Sequence, residues 1–170
     1  MKYITVNKDL IHIPQSKSAN MEAVLLYYIR TKCNKECVSA IGEKKVQEEL
    51  NLSESTVEGY IGKLKKYKSI LSIKTLNPNN EEDKKEIDKV LGVPYEGDKR
   101  KKNLYYFHEP ERFYFLNPQF IYRTDIENEI KGFLIRLACL CDIGTTKIYT
   151  PNCRKEKANI KSIADNLKMS

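Results

Sequence analysis

The stretch 43–64, EKKVQEELNLSESTVEGYIGKL, constrains the fold of this chain more than any other. Val46 and Leu50 stand four apart and so share one helical face. Val57, Ile61 and Leu64 recur at i, i+4 and i+7, marking the buried side of a second helix. Between the two runs falls Asn51, and after glycine asparagine best tolerates a positive φ. Leu52 is placed to plug the gap between the helices. Ser53 is placed to cap the second one, because its hydroxyl accepts an orphan backbone N–H. The pattern predicts two short helices joined by a tight turn.

Apolar, turn and capping residues at these intervals resemble the helix-turn-helix of DNA-binding proteins, with the second helix in the reading role. Gln47 stands where such motifs usually carry a small residue. The flanking segments extend the resemblance. Ser18 is a cap for a helix from 19 to about 33, with Val24, Leu25, Tyr28 and Ile29 as its core face. Residues 38–41 lead into the motif, and 70–76 (ILSIKTL) alternate as a strand does. Helix, helix-turn-helix, strand, loop, strand is the order of a winged helix. The loop, 77–103, is long and carries its own helix signals: Asn80 as N-cap, then Glu81, Glu82 and Asp83, with Gly92 and Pro94 ending it. Only Ile87, Val90 and Leu91 are apolar there, which predicts a surface elaboration. Aromatic strands at 104–107 and 113–116 follow, and 3–13, ended by Pro14, reads as a short strand or extended arm.

The opening pattern starts again near the end of the chain. In 160–170, IKSIADNLKMS, the residues Ile163, Ala164, Leu167, Met169 and Ser170 repeat the places of Val46, Gln47, Leu50, Leu52 and Ser53. The expectation is a second helix-turn-helix cut off at its turn. A helix from 125 to about 141, capped by Thr124 and apolar on several sides, would open that second unit, and 146–150 would be a short strand. The division is thus 1–124, a winged helix with a wing insertion at about 77–103, and 125–170, the start of a second winged-helix unit. The run FYFLNPQFIYR at 113–123 resembles the close of the winged-helix domain in plasmid and phage replication proteins. Tandem winged helices also resemble the initiators of iteron-type plasmids, which implies origin binding through both units.

Charge agrees with an anionic partner. Lys and Arg outnumber Asp and Glu to give a formal +7 over 170 residues, although an AT-rich genome would also enrich lysine. Subtracting the core face of the second helix leaves Ser55, Gly59, Gly62 and Lys66 opposite it, with Glu58 and Lys63 on the flanks. Glycine inside a helix costs about 1 kcal/mol relative to alanine, so two of them on one face need a reason. Close approach to a DNA backbone is one reason, and close approach to a partner helix is the other. Ser53, Ser55, Thr56, Glu58, Gly59, Lys63 and Lys66 are therefore the expected DNA contacts on the helix, and Lys99, Arg100, Lys101 and Lys102 those on the wing. The last four read equally as a solvated loop. Tyr105, Tyr106, Phe107, Phe113, Tyr114 and Phe115 read as strand core or as a stacking platform for single strands.

Other chemistry has no visible seat. Five cysteines, with Cys33 and Cys37 four apart and Cys139 and Cys141 two apart, lack the paired spacing of a zinc site and read as reduced thiols. No cofactor motif and no catalytic constellation is present, so the chain is expected not to be an enzyme. No span or signal sequence addresses it to a membrane, which favours the cytoplasm. The expected activity is sequence-specific binding of double-stranded DNA, first in plasmid or phage replication initiation and second in transcriptional regulation. A protein-interaction module is the third reading. Duplex DNA is the expected partner, with a homodimer and the replication or transcription machinery left open.

Overall fold

The computed structural model describes residues 3–13, 17–97, 99–141, 163, 164 and 167. In chain order they form β1 (Ile4–Asn7), a 3-10 helix (Lys8–Ile11), α1 (Ala19–Thr31), β2 (Val38–Ser39), α2 (Glu43–Leu50) and α3 (Glu54–Leu64). Then follow β3 (Leu71–Leu76), α4 (Glu81–Leu91), β4 (Lys102–Phe107), β5 (Phe113–Leu116), α5 (Gln119–Tyr122) and α6 (Asn128–Ala138). The class is α+β, with one antiparallel sheet of β1 and β5 and another in the order β2-β4-β3. Two compact units result: Leu25–Glu109, and Met1–Val24 with Pro110–Ser170. This grouping cuts the chain elsewhere than the expected division after 124. The expected strand at 146–150 and most of the 160–170 repeat lie outside the described residues.

In the unit Leu25–Glu109 the local signals become local structure. Val46 and Leu50 of α2 are buried, as are Val57, Ile61 and Leu64 of α3. Between the helices Asn51 takes the left-handed conformation, φ 52° and ψ 52°. The Leu52 N–H then donates to the Gln47 carbonyl at 3.0 Å, the six-to-one bond that closes a helix ending in this way. Ser53 caps α3, its Oγ accepting from the Thr56 N–H at 3.3 Å. Leu25 to Ile29 of α1 are fully buried and supply the floor. Lys32 Nζ donates to Glu49 Oε2 at 2.7 Å, tying the end of α1 to α2 and holding the Glu49 carboxyl below its usual range. β3 and β4 run antiparallel from Leu71 opposite Phe107 to Leu76 opposite Lys102.

α4 lies on the surface as expected, with one buried residue that fastens it to the sheet. Asn80 caps it as predicted, accepting from the N–H groups of Glu82 and Asp83. Gly92 ends it at φ 72°, where a Cβ would be strained. Ile87, however, is fully buried with Val38, Ala40, Leu76 and Leu104, and Val90, Tyr95 and Tyr106 pack against that cluster. Burying one such side chain contributes roughly 1.5–3 kcal/mol. Polar contacts add to it, since Glu86 accepts from both Lys74 Nζ and the Tyr106 hydroxyl at 2.5 Å. One isoleucine suffices because the sheet supplies the rest of the apolar surface. The long loop is thereby anchored.

The other unit corrects several expectations. β1 is short because Asn7 accepts from the Asp9 N–H at 2.8 Å and turns the chain into the 3-10 helix. β5 pairs with β1, from Ile4 opposite Leu116 to Asn7 opposite Phe113, and takes no part in the three-stranded sheet. The six aromatic residues therefore split between two sheets, with Tyr105 buried and Phe115 exposed. Thr124 does not cap a helix. Arg123 and Asp125 pair across a bend, and α6 starts at Asn128 with Glu127 at its cap. Its faces are also exchanged, for Ile130 and Leu134 are exposed while Lys131 and Arg136 are buried. Lys131 Nζ is held by the Ile121 carbonyl and Asn128 Oδ1, at 3.1 and 3.0 Å. Arg136 donates to Asn20 Oδ1 and to the Leu167 carbonyl. Anchored cations outweigh the apolar pattern.

Burial in this unit also sets thiol chemistry. Cys139 is buried, which pushes its thiol up to about 12, whereas Cys37 is partly exposed. A pKa raised in the folded chain contributes stability below the ordinary thiol pKa of about 8.5 that is lost as pH climbs toward about 12. At pH 8 we expect iodoacetamide, followed by mass spectrometry, to label Cys37 first. Cys139 should stay largely unlabelled until urea unfolds the chain, because burial both shields its thiol and disfavours the thiolate. Equal labelling of both would refute the burial.

Candidate nucleic-acid interface

α3 exposes the side that the sequence assigns to DNA. Ser53, Ser55, Glu58, Gly59, Gly62 and Lys63 are exposed, and Thr56 and Lys66 are half-buried. A Cβ built on Gly59 or on Gly62 would meet nothing within 4 Å. Packing among the described residues therefore gives no reason for either glycine. At the start of the helix the three hydroxyls join, Ser53 Oγ lying 2.7 Å from Thr56 Oγ1 and 3.3 Å from Ser55 Oγ. Toward its end Lys63 and Lys66 lie over the rings of Tyr60 and Tyr67, each 5.3 Å from the centroid. These contacts hold the two ammonium groups beside the rings.

The basic run emerges from the loop between α4 and β4. Lys99, Arg100 and Lys101 are exposed, and Asn79 Nδ2 donates to the Lys99 carbonyl at 3.2 Å. Lys102 begins β4 and lies over the Tyr95 ring at 4.9 Å. Asp88 fixes the loop from below, since its Oδ1 accepts the Tyr95 N–H at 2.6 Å. A run that sequence leaves open as a solvated loop thus has an anchored backbone on both sides.

Arg100, Lys101 and Lys102 meet the N-terminal end of α2 across a cleft of about 380 Å³. Gly42, Glu43, Lys44 and Gln47 line it from α2, and Glu54 lines it from α3. The structure brings three of the predicted wing residues to this cleft, while the predicted α3 residues and Lys99 do not line it. The Glu43 carboxyl is held above its ordinary range. Burial raises its pKa most, Glu58 and Glu54 raise it further, and Arg100 lowers it. Sequence reasoning did not single out Glu43 and Lys44, which precede α3. The one signal was Gln47, a large polar residue where the resemblance asks for a small one.

Elsewhere, Ser72 Oγ and His108 Nε2 lie 3.0 Å apart, and both residues are exposed. No helix among the described residues is long and apolar enough to cross a membrane. Comparison of the chain with known protein families, curated proteins and solved structures finds no match.

Proposed function

We propose that Leu25–Glu109 is a winged helix that binds double-stranded DNA, with α3 in the major groove and the loop before β4 as its wing. The observation that carries this reading is the exposed side of α3. Two glycines with open space above them, flanked by lysines, lie on one helix whose other side is wholly buried. The order α1, β2, α2, α3, β3, β4 with β4 central in its sheet supports the same reading. Lys63, Lys66 and the wing cations take phosphates, which supply affinity. Ser55 and Glu58, nearer the helix N-terminus, face base edges and supply preference among sequences. On the resemblance at 113–123, replication initiation on a plasmid or phage is the proposed setting, with transcriptional regulation the other use of the same module.

Duplex binding measured against salt concentration tests this. Affinity should fall steeply as salt rises, and Lys99, Arg100, Lys101 and Lys102 replaced together by alanine should flatten the slope. The expected change is about 0.9 in the log–log slope for each phosphate that the variant no longer neutralises. The melting temperature should stay put, because these side chains are largely exposed. An unchanged slope would return the run to the status of a solvated loop. Equal affinity for duplex and single strands would remove the groove-binding reading.

A further inference from the structure

Glu43 lines a cleft of mixed charge on the proposed DNA surface, between the start of α2 and the wing. On its own helix Lys44 faces the same space, and Glu54 enters from α3, with Glu58 close enough to act on Glu43. From the wing side come Arg100, Lys101 and Lys102, and the rings of Tyr95 and Tyr105 complete the walls. Burial already disfavours the Glu43 carboxylate, and charges of both signs act on it as well. Neighbouring carboxylates disfavour its ionised form, and Arg100 favours it. A phosphate entering the cleft would change both sides of that balance. It would engage Arg100, weakening the one compensating charge, and would bring further negative charge beside the carboxylate.

We propose that this cleft seats one backbone phosphate of duplex DNA against Lys44 and Arg100, and that Glu43 takes up a proton as it does so. The inference rests on the duplex-binding reading and deepens it. Its sign follows from linkage. A group that holds its proton more firmly in the complex than in the free chain makes binding tighter as pH falls. The effect vanishes where Glu43 is protonated in both states and where it is ionised in both. Between these limits affinity changes by up to about tenfold per pH unit, in a window opening above the ordinary glutamate pKa of about 4.3.

The test uses the full chain and a random-sequence 20-base-pair duplex at fixed low salt. Anisotropy titrations from pH 5.5 to 8, with calorimetry in two buffers of different ionisation enthalpy, give the affinity and the protons taken up. Within that window the wild-type chain should bind about threefold more tightly for each unit fall in pH, and it should take up a fraction of a proton. Glu43→Gln should lose that dependence and, at pH 7.5, bind about five- to tenfold more tightly than wild type. If Glu43→Gln fails to fold, Glu54→Gln at an exposed position should lower the pH window instead, and the calorimetric proton count on the wild type needs no variant. Duplex binding with no proton uptake overturns the inference and leaves the DNA reading standing. Dependence that survives Glu43→Gln but is lost on replacing His12 or His108 assigns the proton elsewhere and also overturns it. Absence of duplex binding at every pH sinks both.

Discussion

Gly132→Ala is expected to destabilise the chain by about 1–3 kcal/mol, although alanine is the better helix former by about 1 kcal/mol. Gly132 lies on the buried side of α6, where a Cβ would run into the backbone of Asn20, overlapping its carbonyl group and approaching its Cα to 2.7 Å. Backbone cannot swing aside as a flexible side chain does, so one helix must shift. Arg136 donates to the Asn20 side chain at 2.5 Å, and that shift would stretch this bond too. Gly62→Ala is the control, because a Cβ there meets open space, and it should gain about 1 kcal/mol. Thermal unfolding separates the two by sign, at about 2–4 °C for each kcal/mol in a chain of this length. A Gly132→Ala protein that melts at or above the wild type would show that the helices do not approach so closely.

Gly132 also shows where sequence reasoning stops. Its neighbours Ile130, Phe133, Leu134 and Leu137 spell an apolar helix, yet the buried side is Lys131, Gly132, Ile135 and Arg136. Apolar periodicity reports which side chains avoid water when nothing else competes. Here two cations have carbonyl and amide oxygens waiting at Ile121, Asn20 and Leu167, and those partners are 10 to 116 residues away in the chain. No local pattern encodes such a pairing. The same holds for β5, whose partner β1 lies more than a hundred residues earlier.

Where the determinants were local, they were legible. Asn51 in the left-handed region, the Ser53 cap, and the Asn80 and Gly92 ends of α4 each depend on a residue and its next few neighbours. The candidate site divides along the same line. The exposed side of α3 follows by subtraction from Val57, Ile61 and Leu64, because a helix has only one period. The cleft needs the run at 100–102 to return over the start of α2, more than fifty residues later, so Glu43 and Lys44 could not be read from their own surroundings.

Gly59→Leu is expected to abolish duplex binding while leaving the fold intact or slightly steadier, and it addresses the choice between a DNA surface and a protein surface. The site is exposed, and an added Cβ meets nothing within 4 Å, so the leucine side chain enters solvent and not the core. Helix propensity then favours the variant by most of 1 kcal/mol. On the groove reading the leucine stands where sugar and phosphate must approach the helix backbone. Ser55, Glu58, Lys63 and Lys66 are then held off the duplex together, and affinity should fall by well over a hundredfold, about 3 kcal/mol or more. Lys63→Ala removes a single phosphate partner from the same surface and should weaken specific and random duplexes about equally. If Gly59→Leu binds duplex as the wild type does but no longer self-associates or captures a protein partner, the open glycines serve a helix–helix interface. Retention of both activities would leave the two glycines without a role on this surface.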